Sequence, residues 1–295
     1  MGGVSPAQLN RNTMTSDTVF TIHRPSSSAS PLVLDSPHSG HQFPADFGSV
    51  LSVARLRSAE DVLVDQLYAS AGRHGAPLLA ANFPRSYIDP NRAAGDIDLD
   101  LLDAPWPHHF EPSGKARLGK ALIWRTLDDG TPIYDARLSV ATVQHRITHY
   151  LQPYQAALKT LLDAAHAEHG VVYHINCHSM DPVGSAMGEG GQGVARADVV
   201  LGDRDGSTCE AGFTQGVAAF FEARGYSVAI NKPYKGVELV RMYAAPQQGR
   251  HSLQIELNKR LYLQDGSIEA SAGFARLQSD LDALLGELVR YARTR

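Results

Sequence analysis

The stretch Pro31-Leu-Val-Leu-Asp-Ser-Pro-His-Ser-Gly40 sets the reading of the whole chain. Three apolar residues lie between Pro31 and a polar run that holds a second breaker, Pro37. A short apolar run bounded in this way reads as a buried strand that ends in a tight loop. Outward from it the same punctuation recurs. Residues 18–23 alternate weakly and read as a short strand. In residues 58–74, Val62, Leu63, Leu67 and Tyr68 share one side of a helical pattern. Residues 76–83 read as a strand leading into Pro84-Arg-Ser-Tyr-Ile-Asp-Pro-Asn-Arg92. Residues 93–132 carry many Pro, Gly and Asp and no long period, which predicts an extended excursion near the site. Residues 139–168 predict a long amphipathic helix, or a kinked pair interrupted at Pro153. Strands are read at 171–176 (ending at Cys177-His-Ser-Met180), 199–202, 226–231 and 251–257, and helices at 208–224 and from 268 to the C-terminus. Strands that alternate with helices over nearly the whole length predict an α/β fold. The pattern predicts a mostly parallel central sheet with helices on both faces. Residues 18–295 read as one domain and residues 1–17 as a loose leader.

Composition narrows the function. The chain has 295 residues, with 27 Lys+Arg against 31 Asp+Glu and a formal charge of −4. A nucleic-acid binder would need a basic surface. No apolar run approaches the length of a membrane span, and the N-terminus lacks a basic-then-apolar signal pattern. Two cysteines, Cys177 and Cys209, make neither a disulfide framework nor a paired zinc knuckle. A cytoplasmic enzyme is the expectation. The thirteen histidines direct the search to a metal or acid–base site.

Sites of α/β sheets lie at the carboxyl ends of strands. Three apolar runs carry metal-capable or acid–base groups there: His38, His178 and Glu256. A neutral imidazole in a tight loop suits zinc, although a loop histidine can equally be solvated or bonded to backbone. Zinc hydrolysis needs a third ligand and an open position. Asp61, Asp65 and His41 are the candidates left open by the sequence. Glu256 sits between apolar neighbours in Leu253-Gln-Ile-Glu-Leu257, where a carboxylate is costly unless paired with Lys259 or Arg260, or functional. Arg92 offers a planar fork that matches a carboxylate and Asn91 offers donors beside it, while Asp89-Pro-Asn is also turn-forming. Arg85 and Arg241 are further cations near strand ends. Cys177 beside His178 raises a rival cysteine nucleophile; inert packing is the commoner fate of such a thiol. The glycine stretch 188–193 lacks the ending of a phosphate loop and reads as a flexible loop or lid.

Seven pieces in order resemble the N-formylglutamate amidohydrolase family. They are Ser36-Pro-His-Ser-Gly40, Arg57-Ser-Ala-Glu-Asp61, Arg85 through Asp89-Pro-Asn-Arg92, Asn176-Cys-His-Ser179, Val200-Leu-Gly-Asp203, Asn231-Lys-Pro-Tyr-Lys-Gly236 and Leu253-Gln-Ile-Glu-Leu-Asn258. The resemblance spans about Leu32 to Tyr262. It implies an α/β fold like the zinc carboxypeptidases and aspartoacylases, with a mixed, mostly parallel central sheet between helices, and hydrolysis of N-formyl-L-glutamate to formate and L-glutamate, a late step of histidine breakdown. It also implies zinc, or another divalent metal, on His38, His178 and a third group, Asp61 or His41. Glu256 would be the catalytic carboxylate and Arg85 would steady the oxyanion. Asn91, Arg92 and Arg241 would grip a small anionic acyl-amino acid. A different N-acyl amino acid or small amide, or a non-catalytic binding protein on the same scaffold, are the alternatives.

Overall fold

A computed structural model describes residues 19–186 and 188–295, so the leader expected at residues 1–17 lies outside the described residues. Among the described residues, seven strands form one sheet in the order β1-β3-β2-β4-β7-β5-β6. They are β1 (Phe20–His23), β2 (Leu32–Ser36), β3 (Leu78–Ala81), β4 (Val172–Met180), β5 (Val199–Gly202), β6 (Val228–Ile230) and β7 (Arg250–Asn258). The pairs β2/β3, β2/β4, β4/β7 and β5/β6 are parallel; β1/β3 and β5/β7 are antiparallel. The sheet is therefore mostly parallel, as the strand–helix alternation implies, and mixed, as the family resemblance implies. Seven α-helices accompany it: α1 (Val53–Leu56), α2 (Val64–Leu67), α3 (Val140–Arg146), α4 (Gln152–His169), α5 (Ala211–Glu222), α6 (Glu238–Tyr243) and α7 (Gly273–Ala292).

Period-2 alternation sorts the central strands onto two faces. Tyr173, Ile175 and Cys177 of β4 join Leu253, Ile255 and Leu257 of β7 in an apolar layer with α5 and α7. On α7, Leu277, Leu281, Leu284, Leu285 and Leu288 are buried at helical spacing. Each fully buried leucine stabilises the fold by about 1.5–3 kcal/mol. The opposite face of the same two strands is polar, carrying His174, Asn176 and His178 against Ser252, Gln254 and Glu256 in register. Asp35 of β2, opposite Asn176, anchors this stripe. It accepts bonds from His174 Nε2 (2.8 Å), Asn176 Nδ2 (2.7 Å) and the Tyr154 hydroxyl (2.8 Å). Burial works to raise the Asp35 carboxyl, but these bonds outweigh it and hold it below the usual carboxylate range.

Two expected elements differ. Residues 58–74 are not one helix: Glu60 is extended (ψ 151°) and Leu63 is left-handed (φ 61°), so only α2 and flanking 3-10 turns form. The break frees Asp61 from a helical ladder, and its N–H bonds the carbonyl of His38 (3.0 Å) instead. Pro153, in turn, does not end the long helix. A wide π-turn over Ile147–Leu151 joins α3 to α4, so the proline sits in a first turn where its missing N–H costs little. α3 also carries the fully buried Arg146. Its guanidinium bonds the carbonyls of Tyr87 (2.9 Å) and Phe47 (2.9 Å) and stacks on the Tyr87 ring at 4.0 Å, pinning the segment that leads to Asp89 and Arg92.

Candidate active site

Three buried side chains from separate parts of the chain meet at the carboxyl end of β2 and β4. His38 follows β2 in a loop that passes directly under the end of β3. A Cβ on Gly40 would lie 2.3 Å from the carbonyl oxygen of Phe83, so only glycine allows this path. Asp61 comes from the broken turn described above. His178 lies within β4, which runs on to Met180 rather than ending before Cys177. One ligand atom from each of His38, Asp61 and His178 lies within 4.8 Å of the others. Asp61 Oδ2 is 2.9 Å from His178 Nδ1 and 3.4 Å from His38 Nδ1.

The backs of both imidazoles are fixed. His38 Nε2 bonds Asp89 Oδ1 at 2.7 Å, and His178 Nε2 bonds Asn176 Oδ1 at 2.7 Å. The shortest partner of each Nε2 is an acceptor, so the ring protons are assigned there; for His178 the Asn91 Nδ2 amide also lies 3.0 Å from Nε2 and the assignment follows the shorter bond to Asn176. Both Nδ1 lone pairs then point at a carboxylate oxygen, and His38 Nδ1 is buried without a hydrogen bond among the described residues. Three converging lone pairs in a dry site repel one another unless a cation lies between them. The donor set, two imidazoles and a carboxylate, with acceptors on the outer nitrogens, suits zinc. Burial lowers the proton affinity of His178, with Asp61 opposing and His38 and Arg85 reinforcing, so the ring stays neutral as a ligand must. Asp61 is held well below the usual range; burial works against this, but His178, His38 and Arg85 outweigh it.

The alternatives separate on geometry. His41 is exposed, with Nδ1 facing the carbonyl of Ser39 at 3.3 Å. Asp65 is outside the converging group. Cys177 faces the opposite, apolar side of the sheet, and burial pushes its thiol well above the ordinary value, which removes it as a nucleophile.

Glu256 is opposite His178 in the β4/β7 register, on the same face. Its Oε1 accepts from Gln254 Nε2 at 2.8 Å, and it makes no ion pair with Lys259 or Arg260. Burial first, and the charge of Asp61 second, raise its carboxyl well above the usual value, against the pull of Arg85 and Arg196. Arg85 lies over the Trp124 ring (4.7 Å), with Nη2 on Asp89 Oδ2 (3.0 Å) and Nη1 3.5 Å from Asp61 Oδ1. Arg92 lines the same cavity. Its Nε and Nη1 bond the carbonyls of Lys120 (3.2 Å) and Asn91 (3.1 Å), and Nη2 has no partner among the described residues. Asn91 is fully buried, and both ends of its amide are engaged. Oδ1 takes the N–H of Leu239 (2.9 Å), and Nδ2 lies 3.0 Å from His178 Nε2 and donates to Asn176 Oδ1 (3.2 Å).

The expectation for Arg241 is corrected. It lies on α6 with its side chain 54% exposed, bonded to Glu238 one helical turn back (2.6 and 2.8 Å), and it does not line the cavity. Helical spacing within α6 turns it to solvent, which its nearness in sequence to the site motifs does not show.

Other residues escaped the sequence reading. Asp89 is a buried hub that accepts from His38, Arg85, the Asn91 N–H (2.9 Å) and Trp124 Nε1 (3.3 Å). Its position in a turn-forming Asp-Pro-Asn masked it. Ser252 and Gln254 alternate with apolar neighbours on the way to Glu256, a period-2 signal that could have shown one polar face. Lys115, Lys120 and Arg196 also line the cavity, whose volume is about 390 Å³; their long, irregular surroundings gave no periodic clue.

The profile of the N-formylglutamate amidohydrolase family matches residues 30–263. The chain belongs to this family. Members act as amidohydrolases, so the protein is a hydrolase of amide bonds. It is similar to N-formylglutamate deformylases of Pseudomonas aeruginosa (27% identity, 80% of this chain and 83% of that one) and Pseudomonas putida (27%, 84% and 86%). A solved N-formylglutamate amidohydrolase from Ralstonia eutropha is 46% identical, with a TM-score of 0.87 over 93% of this chain and 98% of that one. A gene product from Agrobacterium tumefaciens, 19% identical with a TM-score of 0.66 over 92% of this chain and 95% of that one, shares the family fold.

Proposed function

We propose that the protein hydrolyses N-formyl-L-glutamate, with water, to formate and L-glutamate, using a divalent metal held by His38, Asp61 and His178. The observation that carries the metal reading is the convergence of three ligand atoms with both imidazole backs already bonded. Zinc bound there would polarise the formyl carbonyl and acidify the attacking water. Asp89, Asn176 and, behind Asn176, Asn91 orient the two rings.

Glu256 takes the proton of the attacking water and delivers it to the departing nitrogen. Its raised proton affinity suits a group that must hold that proton between the two steps. Arg85, buried beside Asp61 and stacked on Trp124, places positive charge where the oxyanion develops. Arg92 lines the cavity with Nη2 unpartnered among the described residues and binds a carboxylate of the substrate, so that remote binding energy positions the scissile bond. On this reading the enzyme serves a late step of histidine breakdown in the cytoplasm, and residues 18–295 work as a single α/β domain. Among the described residues no helix is long and apolar enough to cross a membrane.

The test is formate release from N-formyl-L-glutamate and from N-formyl-L-methionine, and glutamate release from N-acetyl-L-glutamate, each with and without a chelator, on protein whose metal content is measured. The reading expects one divalent ion per chain, chelator-sensitive turnover and preference for the formylated acidic substrate. Full activity in metal-free protein would overturn the metal assignment; preference for the acetylated substrate would overturn the formyl assignment.

A further inference from the structure

Between β3 and α3 the chain forms no α-helix or strand, only 3-10 turns and isolated bridges. So long an irregular connection usually serves function. This one turns two lysines toward the cavity. Lys120 has a side chain only 6% exposed, bonds Asp128 and lies 5.4 Å from the Trp124 ring. Lys115, nearer the rim, pairs with Glu189 Oε1 at 2.6 Å. Buried lysines such as Lys120 are rare, and Lys120 and the quarter-exposed Lys115 line one cavity with Arg85 and Arg92, whose like charges repel theirs. Burial and then Arg85, Lys115 and Arg92 push the Lys120 ammonium down to about 8. Burial also lowers Lys115, Glu189 opposing, with Arg92 and Arg85 adding to the fall. The hydrolytic step uses neither lysine. Mutual repulsion among cations is relieved by an anionic ligand.

The partner of Lys115 is poorly committed to it. Glu189 keeps 38% of its side chain exposed and stands in a glycine-rich loop before Gly190 and Gly191, both at positive φ (89° and 93°). A carboxylate already half in water exchanges for another at little desolvation cost.

We infer that Lys115, with Lys120 behind it, is the subsite for the second carboxylate of the substrate, the first being held by Arg92. Glu189 occupies Lys115 as a placeholder that the substrate carboxylate displaces. This rests on the dicarboxylate reading of the substrate above, and it explains how glutamate is told from glutamine at this site.

The experiment uses the metal-loaded enzyme and its Lys115→Met, Lys115→Arg and Glu189→Gln variants. Two readouts are taken: kcat/KM for N-formyl-L-glutamate against N-formyl-L-glutamine, and calorimetric binding of glutarate against butyrate. Lys115→Met should cut both the glutamate preference and the glutarate affinity about tenfold or more, the worth of one charge-assisted bond. Lys115→Arg should recover most of each. Glu189→Gln should tighten glutarate by about threefold or more, since it removes a competitor. A Lys115→Met enzyme that keeps its preference and its glutarate affinity overturns the subsite. A Glu189→Gln enzyme that loses glutarate as Lys115→Met does overturns the placeholder, because the pair would then be structural. Should the wild type hydrolyse neither formyl compound, the substrate reading fails, while glutarate against butyrate still decides the subsite.

Discussion

Replacing Asp89 by asparagine tests the support of the whole site. Asp89 is fully buried, and its two oxygens accept four donors: His38 Nε2 and the Asn91 N–H on Oδ1, Arg85 Nη2 and Trp124 Nε1 on Oδ2. Burial would raise this carboxyl, yet His38, Arg85 and Arg92 hold it well below the usual range. Asparagine has the same shape but one acceptor. Whichever way the amide turns, two of the four donors face an NH2 group: in one orientation His38 and the Asn91 N–H lose their acceptor, in the other Arg85 and Trp124 do, and Arg85 then keeps only the longer contact to Asp61. Removing one partner of a buried charged pair costs about 3–5 kcal/mol, which for a chain of this size is a fall in Tm on the order of 10 °C. The loss of the carboxylate behind a ligand histidine should also weaken metal retention by about 10–100-fold. The assay is a thermal melt with and without metal, followed by metal analysis after dialysis against graded chelator. If Asp89→Asn melts within about 2 °C of the parent, well under the shift expected for a buried pair, and retains metal equally well, Asp89 does not anchor His38 and Arg85.

Glu256→Gln keeps the shape and the contact with Gln254 but removes the proton carrier; turnover should fall by about 10²–10⁴-fold with metal content unchanged, and an active variant would exclude Glu256 from proton transfer. His178 is held neutral, so below its ordinary value of 6.5 the unfolded chain gains a proton that the folded chain refuses, and stability should fall as pH drops. Asp35, Asp61 and Asp89, held below 3.8, add stability that is present above that value and lost as pH falls through their folded values. Melts and metal analysis from about pH 7.5 to 4 check the histidine and melts from about pH 4 to 2 check the carboxylates; a flat profile across its own window refutes each. Gly40→Ala puts a Cβ 2.3 Å from the Phe83 carbonyl and 2.6 Å from the Asn82 carbonyl carbon. The loop bearing His38 must shift, at about 1–3 kcal/mol; a variant with unchanged Tm and activity would show that the contact relaxes freely.

Short-range patterns carried the fold class and part of the site. The short, mostly apolar segments at residues 32–34, 172–175 and 253–257 mark central strands because they are bounded by breakers or polar turns and the sheet buries them. His38 and His178 stood out as imidazoles in or beside such runs, and Glu256 as a carboxylate in an apolar setting. Pro153 in residues 139–168 showed that something interrupts the helix, but a broken helix and a π-turn have the same hydrophobic pattern.

By itself the sequence determined which residue types stand at the ends of the strands, since periodicity and breakers act over a few neighbours. Only the tertiary structure decided the rest. It chose Asp61 over His41 to meet the two imidazoles, through a left-handed residue at Leu63 and a bond from Asp61 to the carbonyl of His38. It placed Asn91 behind His178, carried Arg241 to solvent, and brought Lys115 and Lys120 to one cavity wall with Arg92. Convergence depends on where distant segments pack, and a direction in space has no period along a chain.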